Sequence, residues 1–88
     1  MLDIIQILNG LDSYRFSTEE ELDNVESLSY FIDEILDIGD FKFVCDDGTF
    51  VILEHEGIEV HMSSGGLGDF NSHIINFKLY KGGEEWKK

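Results

Sequence analysis

Phe41–Met62, FKFVCDDGTFVILEHEGIEVHM, is the stretch whose reading decides the fold. Apolar and aromatic runs alternate with short acidic, glycine-containing breaks. FKFVC is followed by Asp46-Asp47-Gly48, TFVILEH by Glu56-Gly57, and IEVHM closes the stretch. Asp-Gly between β-branched and aromatic runs marks a hairpin. Three antiparallel strands in a meander are therefore expected. With two-residue turns at Asp47-Gly48 and Glu56-Gly57, the side-chain period of two fixes the faces. Phe41, Phe43, Cys45, Phe50, Ile52, Glu54, Glu59 and His61 would share one face. Lys42, Val44, Val51, Leu53, His55, Ile58, Val60 and Met62 would share the other.

Toward the C-terminus, SSGGLGDFNS (63–72) reads as a glycine-rich loop and HIINFKLY (73–80) as a fourth strand, with KGGEEWKK (81–88) as a tail. Toward the N-terminus, Leu2, Ile4, Ile5, Ile7 and Leu8 precede Asn9-Gly10, a helix stop, so a short helix is expected there. LDSYRF (11–16) reads as a connection with a little extended structure. Next comes STEEELDNVESLSYFIDEILDIGD (17–40). Ser17 and Glu20 have the spacing of a capping box. Leu22, Val25, Leu28, Ser29, Ile32, Ile35 and Leu36 follow one helical face, and Gly39 supplies the stop. The spacing predicts a helix over about 18–38. The expected architecture is one α+β domain over residues 1–88: helical in 1–40, sheet in 41–80, tail in 81–88. In it, a short N-terminal helix and one long acidic helix pack on a four-stranded antiparallel meander.

Composition narrows the function classes. The chain has 88 residues, 42% of them hydrophobic, and a net charge of −13. That apolar content supports a thin core without a metal or disulfides. One cysteine, Cys45, excludes an internal disulfide framework and fits a reducing compartment. Met1-Leu2-Asp3-Ile4 is not the start of a signal peptide, and no apolar run reaches membrane-spanning length. A soluble protein of the bacterial cytoplasm, with a phage genome as one source, is the expectation. The charge is uneven: residues 1–40 hold eleven acids against Arg15, and residues 41–88 hold eight acids against five lysines. Phosphate contacts need Lys and Arg, so direct binding of nucleic acid or anionic membrane is not expected. A basic protein partner is.

Motifs for catalysis are lacking. His55, His61, His73 and Cys45 form no CxxC, HxxxH or HExxH, and on the expected register His55 and His61 leave opposite faces. The histidines read as ordinary strand residues rather than metal ligands. Gly65-Gly66-Leu67-Gly68 lacks the lysine and the strand–helix setting of a phosphate loop. Glu54, Glu56, Glu59, Asp46 and Asp47 cluster at turns, where carboxylates are usually solvated, and Asp46-Asp47-Gly48 is too short for a calcium loop. No enzyme activity and no cofactor are expected. Trp86 has two readings, a ring folded over an open sheet edge or an interface anchor.

The acidic segment 17–40 therefore carries the functional inference. It holds nine acids and no Lys, Arg or His. A solvated face is the plain reading. On a continuous helix, however, six like-charge pairs would form: Glu19–Asp23, Glu20–Asp23, Asp23–Glu26, Asp33–Asp37, Glu34–Asp37 and Asp37–Asp40. Together they would cost about 1–3 kcal/mol. Glu19, Asp23 and Glu26 would step along one side at about 6 and 4.5 Å of rise, with Asp33 and Asp37 continuing the series. Such a rod could occupy a groove built for nucleic-acid phosphates. In size, composition and lack of catalytic motif the chain resembles the small acidic phage proteins that block host defence nucleases, the anti-CRISPR and anti-restriction proteins that imitate DNA. It is also similar to the acidic immunity proteins of nuclease toxins. The resemblance is compositional and implies an inhibitor of a basic nucleic-acid-handling protein; the charge and spacing of the acidic segment make Glu19, Asp23, Glu26, Asp33, Glu34, Asp37 and Asp40 its expected contact residues. The competing reading is a non-enzymatic assembly domain. Its partner, a second copy in one version, would meet an apolar sheet face, either Phe41, Phe43 and Phe50 or Val51, Leu53 and Val60.

Overall fold

A computed structural model describes residues 2–65 and 71–86. Its frame is an antiparallel sheet built from β2 (Ser13–Ser17), β4 (Lys42–Asp46), β5 (Phe50–His55), β6 (Ile58–Ser64) and β7 (Ser72–Lys81), in the order β2-β7-β6-β5-β4. β8 (Glu84–Glu85) adds to the end of β7 as a sixth strand. Two helical pieces, α1 (Ile4–Leu8) and α2 (Asn24–Tyr30), belong to the same small α+β domain. Tiny parallel strands β1 (Leu2–Asp3) and β3 (Leu36–Asp37) tie the start of the chain to the end of the helical segment. The radius of gyration, 12.5 Å, matches the ~12 Å expected for a compact chain of this length.

The β5–β6 hairpin follows the sequence. His55 pairs with Ile58 across Glu56-Gly57, whose φ values of 51° and 80° lie in the left-handed region that a two-residue hairpin turn demands. Val51, Leu53, Val60 and Met62 share the covered face with Ile75, Phe77 and Leu79 of β7, and all seven are buried. Phe50, Ile52, His61, Asn76, Lys78 and Tyr80 leave the open face.

Several expectations need correction. The sheet has six strands rather than four. One added strand is SYRFS, read above as a connection; β2 pairs along the first half of β7, Ser13 opposite Asn76 and Ser17 opposite Ser72. The other is β8 in the tail. Ser63, Ser64 and Ser72 are strand residues, so the expected loop is shorter, and its centre, 66–70, lies outside the described residues.

The β4 register also differs. Asp46 pairs with Val51, leaving four residues in the turn, and the register shifts between Phe43 and Cys45. Val44 is the extra residue of a bulge. Phe43 therefore stands opposite Leu53 on the covered face, while Cys45 stays opposite Ile52 on the open one.

The long helix is short. Its cap is Asp23, whose carboxylate accepts the Glu26 N–H at 2.8 Å while the Glu26 side chain accepts the Asp23 N–H. This second capping box wins because β2 pairing has already fixed Ser17 as strand. Seven α-helical residues pass into a five-residue π-helical turn, Phe31–Ile35, closed by the Leu36 N–H on the Phe31 carbonyl. That i+5 closure buries both Phe31 and Leu36. The buried stripe is Ser27, Leu28, Phe31 and Leu36; Val25 and Ser29, placed on it above, are exposed. Phe31 makes ring contacts with Tyr14, Phe16 and Phe77, joining α2 to β2 and β7. The expected N-terminal helix is present as α1. Asp3 and Gln6 form its capping box, and Ile4 and Ile7 are its buried residues.

Candidate protein-binding surface

All nine acids of segment 17–40 are exposed, and none forms an ion pair among the described residues. They do not form a rod. Glu19, Glu20 and Glu21 lie in the loop before α2, and Asp23 is its cap. Glu26 is in the first turn, Asp33 and Glu34 are in the π turn, Asp37 is in β3 and Asp40 in the bend after it. Each of the six like-charge pairs expected on a continuous helix includes a residue outside it. Asp23–Glu26 is instead a favourable capping box. The helical cost worked out above therefore does not arise. Parallel pairing sets Asp3 opposite Asp37, an acid the sequence reading did not add to this side.

Charge is divided unevenly between the faces: the open face mixes cations with Glu54 and Glu59, and Lys81 falls on the covered face with Leu79. The register sends Arg15 (opposite Ile74), Lys42 (opposite Glu54) and Lys78 (opposite His61) to the open face of the sheet. α2 packs over the other face, with Leu28 and Phe31 in the core. Two grooves border these faces. One, about 890 Å³, runs over the open face and is lined by Phe50, His61, Lys78, Tyr80 and Trp86 among others. His61 stacks against Tyr80 at 4.2 Å between ring centres and is bonded to Glu59 at 3.1 Å. Trp86 donates its backbone N–H to Leu79 at 2.8 Å, and its side chain packs half-buried against the core. The second groove, about 220 Å³, lies between α2 and the sheet edge, with Val25, Ile32, Phe43, Asp33 and Asp46 in its walls.

A hydrogen-bonded cluster that the sequence reading missed joins Thr18, Ser27 and His73. His73 Nδ1 is 2.8 Å from Ser27 Oγ, and its Nε2 is 3.1 Å from Thr18 Oγ1. The Ser27–His73 distance suits a nucleophile and its base. However, Ser27 and His73 are 1% and 4% exposed, and neither lines a groove. Ser27 Oγ is also bonded to the Asp23 carbonyl at 2.7 Å, and Thr18 Oγ1 donates to the Glu20 carbonyl. The cluster is a fastener: it ties β7, the acidic loop and the first turn of α2 together. Only the spacing of two apolar neighbours, Leu28 and Phe31, hinted that Ser27 faces inward.

His55 contacts the Asp40 carbonyl through Nδ1, on the opposite side of the sheet from His61. Among the described residues no group of three or more His, Cys, Asp or Glu is placed to hold a metal. No helix among them is long and apolar enough to cross a membrane. Of the apolar residues named above for a dimer, Val51, Leu53 and Val60 are buried under the chain's own helical layer and are not available to a second copy. Phe43 and Phe50 are exposed at 51% and 36%, and Phe41 is half-buried. Comparison with known protein families, curated proteins and solved structures finds no match to this chain.

Proposed function

We propose that this chain is a non-enzymatic inhibitor that binds a basic nucleic-acid-handling protein through its α2 side. One observation carries the reading: nine exposed acids, free of ion pairs among the described residues, lie in and on either side of α2 in the chain, while three strand cations, Arg15, Lys42 and Lys78, leave the opposite face and Lys81, at the end of β7, falls on the covered one. A one-sided negative field steers a basic partner onto that side and makes association fast and salt-sensitive. Asp23 and Glu26 serve first as caps. Glu19, Asp33, Glu34, Asp37 and Asp40 are the contact residues most free to meet a partner. Imitation of nucleic acid then rests on charge density over a curved surface rather than on a helical rod. Phage anti-defence action and toxin immunity are the two settings of this reading.

The test is capture of partners on the tagged protein at about 0.05 M and about 0.5 M salt, which spans weak and strong screening. The captured enzyme is then assayed with added protein. Recovery of a basic nucleic-acid enzyme that salt releases and the protein inhibits is the expected result. A variant with Glu19, Glu34, Asp37 and Asp40 changed to Lys should bind it at least about tenfold less tightly, since rim charges act on the rate of association. Equal inhibition by that variant would sink the proposal. The second reading, a domain that assembles with its own copy, draws on exposed Phe43, Val44 and Phe50. Sedimentation of the purified protein separates it from the first.

A further inference from the structure

Of the six large hydrophobic residues exposed among the described residues, three cluster at one edge: Val25 at 48%, Phe43 at 51% and Val44 at 46%. Val25 is in α2, and Gly48 of the β4–β5 turn lies against it, 3.5 Å from a Val25 methyl once a Cβ is built. Phe43 and Val44 are in β4, the last strand of the sheet, whose outer side pairs with no strand among the described residues. The bulge brings Phe43 to the α2 side, where it faces Val25 and Ile32 across the 220 Å³ groove. That volume is below the ~300–1,000 Å³ of small-molecule pockets and suits one or two side chains. Asp33 and Asp46 stand in the same walls.

We infer that this groove and the β4 edge receive a short extended segment of the basic partner. One apolar side chain of the segment is seated between Val25 and Phe43, with Lys or Arg beside it facing Asp33 and Asp46. The inference rests on the inhibitor reading and deepens it by giving the acidic surface an apolar anchor. Interfaces draw most of their affinity from a few such anchors, and rim charges add mainly rate and selectivity. Strand addition at a free edge lets the segment's backbone bond to β4 while alternate side chains enter the groove. Two features favour a short foreign segment over a second copy. The bulge at Val44 interrupts the edge, which discourages long sheet-to-sheet pairing. The net charge of −13 makes each copy repel another and attract a basic chain.

The probe is a capped peptide that alternates lysine with valine around a central phenylalanine. Its control has the same charge, with the valines flanking the phenylalanine replaced by proline, which removes backbone donors. Binding to the whole protein is followed by amide chemical shifts and by calorimetry. The alternating peptide should shift the resonances of 42–46 and of Val25, and the proline peptide should bind at least about tenfold more weakly. Phe43→Ser and Val25→Ser leave the charge unchanged and alter exposed positions. Each should cost about tenfold in affinity for the alternating peptide while the spectrum stays folded. If both peptides bind equally and neither serine variant matters, the contact is charge alone. The anchor is then overturned, while the inhibitor reading still stands or falls on the captured enzyme. No shift at β4 with either peptide also overturns the anchor. So does a dimer in the free protein with β4 amides protected from exchange, because the occupant is then a second copy.

Discussion

A double-mutant cycle on Ser27 and His73 isolates the fastener beneath the acidic loop. In Ser27→Ala the hydroxyl 2.8 Å from His73 Nδ1 disappears, and a ring nitrogen of a residue only 4% exposed loses its partner. An unsatisfied buried polar group costs about 1–3 kcal/mol. In His73→Phe the ring contact with Phe16, centred at 5.1 Å, is retained in kind. Ser27 Oγ still donates to the Asp23 carbonyl at 2.7 Å, so no buried hydroxyl is left unpaired. That change should cost about 0.5–1.5 kcal/mol, the net worth of an ordinary hydrogen bond. Adding Ser27→Ala to His73→Phe removes a serine that no longer has a histidine to satisfy. The double variant should therefore be more stable than the sum of the singles predicts, by about 1–2 kcal/mol, within the range seen for residues in contact. An 88-residue chain at 0.05–0.15 kcal/mol per residue has only about 4–13 kcal/mol in total. Urea unfolding resolves the effect as a shift in midpoint at constant slope. Additive costs, or a Ser27→Ala change below about 0.5 kcal/mol, would refute the hydrogen-bond assignment.

Other variants test the corrected boundaries and the charge. Asp23→Ala should lose about 0.5–2 kcal/mol through the α2 cap, whereas Ser17→Ala, with no capping bond, should stay within about 0.5 kcal/mol; thermal unfolding of both compares the two capping boxes. Glu56 is the single non-glycine residue with positive φ among the described residues, at 51°. Glu56→Asn should raise stability by about 1 kcal/mol, or about 4–8 °C in Tm, because Asn adopts the left-handed conformation more readily and the 3.8 Å approach of the exposed Glu56 carboxylate to His55 is worth little by comparison. Raising sodium chloride from about 0.01 M to about 1 M shrinks the screening length from about 30 to about 3 Å. Tm should climb as repulsion within the −13 chain is screened, and a flat profile would mean that the acids are already balanced in the fold.

What the sequence shows clearly is whatever a local pattern decides. Glu56-Gly57 sets a two-residue turn, and alternation then assigns Val51, Leu53, Val60 and Met62 to one face without further information. SYRFS alternates polar and aromatic residues, but five positions are too few to decide a strand by themselves; the pairing that fixes it comes from β7, about sixty residues away in the chain. Segment 17–40 contains two capping boxes, and only the pairing of Ser17 with Ser72 selects the second. Asp-Gly at 47–48 signals a hairpin correctly, but the turn has four residues, and the bulge at Val44 moves Phe43 to the other face. For the candidate surface, exposure of the acids follows from residue type alone. The groove could not be read, since it needs both the bulge and a helix that turns Val25 outward.

The two corrections to segment 17–40 change the physical meaning of its charge. On one long helix the acids would have destabilised the element that carried them, and a binding role could be argued from that cost alone. In the fold they are divided among a loop, a capped helix, a π turn and a two-residue strand, and Asp23 and Glu26 stabilise the helix they open. The case for a partner then shifts from a local penalty to an asymmetry. The open face mixes Arg15, Lys42 and Lys78 with Glu54 and Glu59, whereas the nine acids around α2 have no basic side chain among them in sequence. On the proposed reading, such a charge dipole would turn the molecule before contact, so that a basic protein would meet the α2 side first. The groove between Val25 and Phe43 opens on that same side, where a steered encounter can become a held one. Reversing Glu19, Glu34, Asp37 and Asp40 should therefore slow association with little effect on dissociation, and Phe43→Ser should do the opposite. Surface plasmon resonance with the captured enzyme separates the two rates. A Phe43→Ser effect confined to association would break the link between steering and anchoring.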